Sequence, residues 1–176
     1  MNEFETYEYV VKQKNTGKMR LKKGLFVFGY ALFVAVMMSV AVVTRLGAPI
    51  VALTPFGLAL IIFLTWRYTS VEFEYSITSG EMTVSKIFGG RTRRELISFR
   101  LRDCRRIAPA SEDASAFRAD ETVSALSRPD APDAYFAALE DADGKKSVVY
   151  FEATQKALRI CHFYNAAATT LTKVSK

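Results

Sequence analysis

Six cations, Lys86, Arg91, Arg93, Arg94, Arg100 and Arg102, fall within 17 residues of this 176-residue chain, and Arg105 and Arg106 follow them. Guanidinium and ammonium groups at such density suit phosphate or carboxylate ligands. Other chemically capable side chains are scattered. Cys104 and Cys161 stand 57 positions apart with no CxxC spacing, so they do not form a zinc site. His162, the one histidine, adjoins Cys161. On a helix, neighbours i and i+1 do not face each other, so a Cys–His nucleophile is poorly served. Asp141, Asp143 and Gly144 resemble a fragment of a calcium loop, but Lys145 stands at the fifth position and the glycine comes too early. A hairpin turn is the expected reading. No carboxylate pair has catalytic spacing, and no GxxxxGK phosphate loop occurs. The expectation is therefore no catalytic residue, no metal, no cofactor and no enzyme.

The sequence pI is about 9.4. Exposed aromatics do not interleave with the cations, and no nucleic-acid-binding motif is present, so nucleic acid is not an expected partner. The net charge of +6 hides an alternation: +3 over residues 1–23, +1 over 24–66, +4 over 67–110, −7 over 111–143 and +5 over 144–176.

What must position the cations begins with two uncharged intervals, Gly24 to Thr44 and Leu46 to Trp66, each 21 residues long and separated by Arg45 alone. At about 1.5 Å per residue, each helix spans roughly the 30 Å of a bilayer core. Spans are expected over 24–45 and 49–67, making a hairpin over 24–67. The first apolar stretch is longer than a signal-peptide core and has no A-x-A site after it. The residues that follow could hardly bury two helices that are apolar on every side. Ala31, Ala35 and Ser39 form a small-residue stripe, expected to be filled by the second span, with a dimer contact as the alternative. Pro55 is expected to kink the second span or delay its start.

Lys and Arg near span ends set orientation. Six precede the first span, including Lys22 and Lys23; Arg45 alone lies between; Arg67 and others follow. Both termini are thus expected in the cytoplasm, at the plasma membrane. Lys22, Lys23, Trp66, Arg67 and Tyr68 are the expected interface anchors.

From Tyr68 the apolar period becomes two. Val71, Phe73, Tyr75 and Ile77 alternate with Glu72, Glu74, Ser76 and Thr78, a half-buried strand, and Ser79-Gly80 turns it back. A third strand ends near Leu101, and two more are expected over 133–139 and 147–152. Residues 110–132, rich in Ala, Ser, Pro and acids, read as a long acidic loop with at most a short strand near Thr122 to Leu126. Thr154 caps a helix over 155–168, with Leu158, Cys161, Tyr164 and Ala168 on one face, before a tail over 169–176. Residues 1–23 read as a basic cytoplasmic N-terminal segment. The fold class is a membrane α-helical hairpin followed by a small antiparallel α+β domain over 68–168.

The run from Tyr7 to Lys14, the strands over 71–87, Arg91 to Arg94 and Cys104 to Pro109 resemble an uncharacterised family of small two-span membrane proteins of Gram-positive bacteria. The strand–turn–strand and basic strand resemble bacterial pleckstrin-homology-like (PH-like) domains. That resemblance implies a seven-strand partial barrel or sandwich closed by a C-terminal helix. It carries no activity and no site residues. The expected function is a binding or scaffolding module held at the inner leaflet for a protein partner, with a possible homo-oligomer. The alternative is an accessory protein that senses anionic lipid headgroups or envelope stress through Lys86, Arg91, Arg93, Arg94, Arg100 and Arg102. Each cation near such a surface gains about 1 kcal/mol.

Overall fold

The computed structural model describes residues 6–14, 17–44, 46–66, 69–112, 114–141 and 144–175. The chain divides into two compact units, built among the described residues on two helices in one and on eight strands and a helix in the other.

The helical unit holds α1 (Gly17–Val43) and α2 (Gly47–Trp66), both long and apolar enough to cross a membrane. Helix α1 begins seven residues before the expected span, because Lys18, Arg20, Lys22 and Lys23 are good helix formers and extend the first turns. The packed face of α1 is Phe26, Tyr30, Phe33, Met37 and Ala41, and that of α2 is Ile50, Thr54, Gly57, Ile61 and Thr65. Both sets recur every three or four residues. Ala31, Ala35 and Ser39 are exposed, so α2 does not fill that stripe. The small residue at the contact is instead Gly57. A Cβ there would lie 3.2 Å from Cζ of Phe33, so the glycine admits the ring. Tyr30 and Thr65 share a hydroxyl–hydroxyl hydrogen bond, and Thr54 Oγ1 donates to the Ile50 carbonyl at 2.7 Å. Polar groups on apolar helices are thus satisfied locally. Pro55 does not delay α2, which is helical from Gly47 onward with Pro55 inside it. Proline removes one i→i−4 bond, and the rest of the ladder carries the helix through.

The β unit contains two four-stranded sheets. The first has the order β1-β2-β3-β4, from β1 (Thr6–Lys12), β2 (Val71–Thr78), β3 (Glu81–Phe88) and β4 (Thr92–Arg100). The second has the order β5-β7-β8-β6, from β5 (Cys104–Pro109), β6 (Glu121–Ser124), β7 (Ala134–Glu140) and β8 (Lys146–Glu152). Helix α3 (Gln155–Tyr164) follows, with Ala157, Leu158, Ile160 and Cys161 buried. Thr154 accepts from the Ala157 N–H at 3.1 Å, as a capping residue should. The helix stops at Tyr164, short of the expected 168. Residues beyond it turn back, and Thr169 bridges to Ile107 on β5.

Part of the N-terminal segment 1–23 is a strand. β1 pairs antiparallel with β2 in unbroken register from Thr6↔Thr78 to Lys12↔Glu72. Tyr7, Tyr9 and Val11 turn toward the protein, and Glu8, Val10 and Lys12 are exposed. Tyr9 stacks between Tyr7 and Tyr75, at centroid distances of 5.3 and 4.8 Å, and its hydroxyl donates to the Glu152 carbonyl at 2.9 Å. The eighth strand beyond the expected seven comes from this N-terminal run.

The acidic stretch 110–132 also carries structure. A 3-10 turn, Ala114–Phe117, puts Phe117 edge-on to Phe136, and Ala114, Phe117, Ala119 and Tyr150 cover a small cluster of Ala108, Phe136, Ala138 and Val148. β6 then pairs in parallel with β8. Both residues of the β2–β3 turn have positive φ, Ser79 at 51° and Gly80 at 84°. This pair matches strand twist in a two-residue hairpin. A Cβ on Gly80 would lie 2.7 Å from the Tyr164 ring, so this position needs glycine for space as well as for φ.

Candidate functional site

The six cations do not form one patch, and the length of β3 is the reason. Arg91 sits in the β3–β4 turn, where Gly89 donates to the Ser70 carbonyl at 2.8 Å, just before β2 begins. Arg100 and Arg102 sit at the other end of the sheet, because the Leu101 N–H donates to the Gly80 carbonyl at 2.9 Å in the β2–β3 turn. An eight-residue strand separates the two ends by about 25 Å.

At the first end, Lys86 Nζ lies 5.8 Å from the Phe73 ring centroid, and the Arg91 guanidinium 5.1 Å from that of Phe63. Arg93 forms an ion pair with Glu74, whose side chain is only 11% exposed. A carboxylate so covered needs its cation, so Arg93 has a structural duty. Arg94 is exposed on β4. Lys12 joins this end by pairing with Glu72 at 3.5 Å. Lys12 reaches this end only through the pairing of β1 with β2 across the helical hairpin, and the alternation of Tyr7, Tyr9 and Val11 is the local sequence signal for that strand. At the second end, Arg102 lies over the Tyr164 ring at 5.9 Å and Arg100 is exposed. Arg105 pairs with Glu140 and Arg106 with Glu112, so the negative stretch is partly used up within the domain.

Among the expected anchors, Lys22 and Lys23 lie in the second turn of α1 and Trp66 ends α2 with 54% exposure. Arg67 and Tyr68 lie outside the described residues, as does the hairpin tip Arg45.

The β7–β8 turn uses its acid on its own backbone. Asp141 Oδ1 accepts from the Lys145 N–H at 2.9 Å, and Gly144 has φ of 79°. Lys145 Nζ meets Glu121 at 2.6 Å, and this carboxylate raises the lysine pKa.

Cys104 and Cys161 are both buried and free. Burial pushes the Cys161 thiol up to about 12. Burial also raises Cys104, and the nearby Cys161 adds to the effect. His162 is half-buried while Cys161 is fully buried. The thiolate is the reactive form, so both thiols are quiet at neutral pH. A maleimide reagent at pH 7 should label neither cysteine in the folded chain within the time that labels both in urea. The linkage sign also follows. The thiols ionise more easily unfolded, so stability is intact below their ordinary range near 9 and falls as pH rises from there toward 12. Equal labelling of folded and unfolded chain would contradict the burial.

β4 ends the first sheet. Its sequence places Arg93, Arg94, Glu95 and Arg100 on an edge, and charge on an edge strand opposes indiscriminate pairing. A charged edge still offers backbone donors and acceptors to a partner strand of matching charge.

A family described as "Bacterial PH-like domain (DUF6106)" matches residues 4–169, from just before β1 to beyond α3. No curated protein and no solved structure shows a match. The match takes in both apolar helices as well as both sheets, so the helical insertion between β1 and β2 is part of what is matched. The sheets and C-terminal helix agree with that description, and the chain belongs to this family of bacterial PH-like domains.

Proposed function

We propose that the chain is a two-span plasma-membrane protein with both termini in the cytoplasm, and that its PH-like domain is a non-catalytic binding module for a protein partner at the inner leaflet. The observation that carries the reading is the pairing of β1 with β2. The chain leaves β1 at Lys12 into α1 and returns from α2 into β2 at Val71, beside Glu72, the register partner of Lys12. Two strands hydrogen-bonded to each other lie on one side of any membrane. With α1 and α2 read as membrane spans, this pairing supports an even number of crossings, and two crossings fit it. Six Lys/Arg before the first uncharged interval, which begins at Gly24, against Arg45 alone between the two intervals support a cytoplasmic location for that side. Only four residues separate Trp66 from Val71, so the domain is held on a short tether.

The β4 edge, with exposed Arg94 and Arg100, favours a partner strand or loop rich in acids. The test is purification of the full chain in mild detergent, beside the double variant R94E/R100E. A partner recovered in fixed stoichiometry with the wild type and reduced at least tenfold with the variant is expected. No stoichiometric partner, or equal recovery with both chains, would overturn the binding role. A reporter fused at the C-terminus and found outside the cell would overturn the topology.

A further inference from the structure

We propose that a cavity at the end of α2 holds an anionic phospholipid, with Arg91 taking the phosphate. The proposal rests on the reading of α1 and α2 as membrane spans. The cavity has a volume of about 720 Å³, within the range of small-molecule sites. Its walls are Ala59, Ile62, Phe63, Leu64 and Trp66 of α2, closed by Ser70, Gly89 and Arg91. Residues 88–91 belong to the same compact unit as the helices, so the site lies within one unit. The turn that carries Arg91 is built to hold its shape. Gly89 and Gly90 have φ of 58° and 69°, Gly89 donates to Ser70, and the Arg91 N–H donates to the Phe88 carbonyl at 3.2 Å.

The charge of Arg91 is what names the occupant. Two other cations of the chain are already paired, Lys12 with Glu72 and Arg93 with Glu74. Among the described residues no carboxylate lies within ion-pair distance of Arg91, whose guanidinium sits instead over the Phe63 ring. A cation held on an aromatic face keeps donors for an anion, and a guanidinium matches phosphate oxygens in pairs. The walls that α2 contributes are apolar and lie toward the end of a 20-residue apolar helix. Such a helix is as long as a bilayer core is thick, so its end stands at the headgroup level. A ligand with an acyl chain for Phe63 and Ile62 and a phosphate for Arg91 fits both halves. Zwitterionic lipid offers the same chain but carries its own cation, which Arg91 disfavours.

Trp66 lines the cavity and is the only tryptophan in the chain, so it reports on the site alone. The full chain is reconstituted in phosphatidylcholine vesicles that carry equal mole fractions of either brominated phosphatidylglycerol or brominated phosphatidylcholine. Bromine quenches tryptophan on contact. The anionic probe should reach half-maximal quenching at about one fifth of the mole fraction needed by the neutral probe. R91Q should abolish that preference, R91K should keep part of it, and R94Q should leave it whole. Equal quenching by the two probes in the wild type, or a preference that survives R91Q, overturns the lipid site and leaves the membrane reading standing. If neither probe quenches Trp66, the helix end is outside the lipid and both readings fall.

Discussion

Tyr75→Ala should lower the stability of the β unit by about 4 kcal/mol, the usual range for removing a large buried aromatic being about 3–5. The side chain is 0% exposed. Its ring lies 4.8 Å from that of Tyr9 and 6.4 Å from that of Phe151, so it joins β1, β2 and β8 at one point. Its hydroxyl donates to the Ala125 carbonyl and accepts the Glu152 N–H at 3.4 Å. Burial raises the phenol pKa well above its ordinary value, so the proton stays in place to be donated. Tyr75→Phe keeps the ring and strands the Ala125 carbonyl, which should cost about 1–2 kcal/mol. Urea unfolding of the full chain in detergent, followed by near-ultraviolet circular dichroism, gives both values. A loss below 1 kcal/mol for Tyr75→Ala would mean that the N-terminal strand is not fixed through this ring.

The second large effect is expected at Asn165→Ala, about 3 kcal/mol, since several partly buried backbone groups lose their partner at once. Asn165 Nδ2 donates to the carbonyls of Leu101, Cys104 and Arg102, at 2.9, 2.9 and 3.3 Å. Its Oδ1 accepts the Ala168 N–H at 3.2 Å. One amide thus ties the end of α3 to the corner between β4 and β5, and starts the turn that brings Thr169 to Ile107. Asn165→Asp keeps the shape and the acceptor but loses the donor, so it should be nearly as damaging as alanine. The same unfolding assay measures it. If Asp restores wild-type stability, the three carbonyls do not depend on the amide. Nothing about Asn165 marks it in the sequence beyond a polar residue after a helix, because its partners are 61 to 64 positions away.

Local patterns made other parts of the fold legible. The alternation through Val71 to Ile77, the Ser79-Gly80 turn and the cap at Thr154 depend on neighbours in sequence, and each is where the pattern put it. β1 and β5 depend on partners far away. β1 is cut off from β2 by the whole helical hairpin, and its short run of Tyr and Val merged with a basic segment. β5 carries Arg105 and Arg106 and a register shift between Cys104 and Arg106, which blurs a period of two. The cations were legible as residue types, but their division between two ends of a sheet was not. That division depends on strand length and pairing, and on Glu72 and Glu74 lying where Lys12 and Arg93 can reach them. The small-residue stripe misled for a related reason, since Gly57 on the opposite helix decides which face can close.

The pairing of Lys12 with Glu72 also orders biosynthesis. The ribosome makes β1 before the hairpin and β2 after it, and at about 5–20 residues per second some 3–12 s pass between the two. Through that interval the first sheet lacks the strand its tyrosines stack against. Both apolar helices are therefore complete before the first sheet can close, and β1 waits for its partner until the whole hairpin has been made.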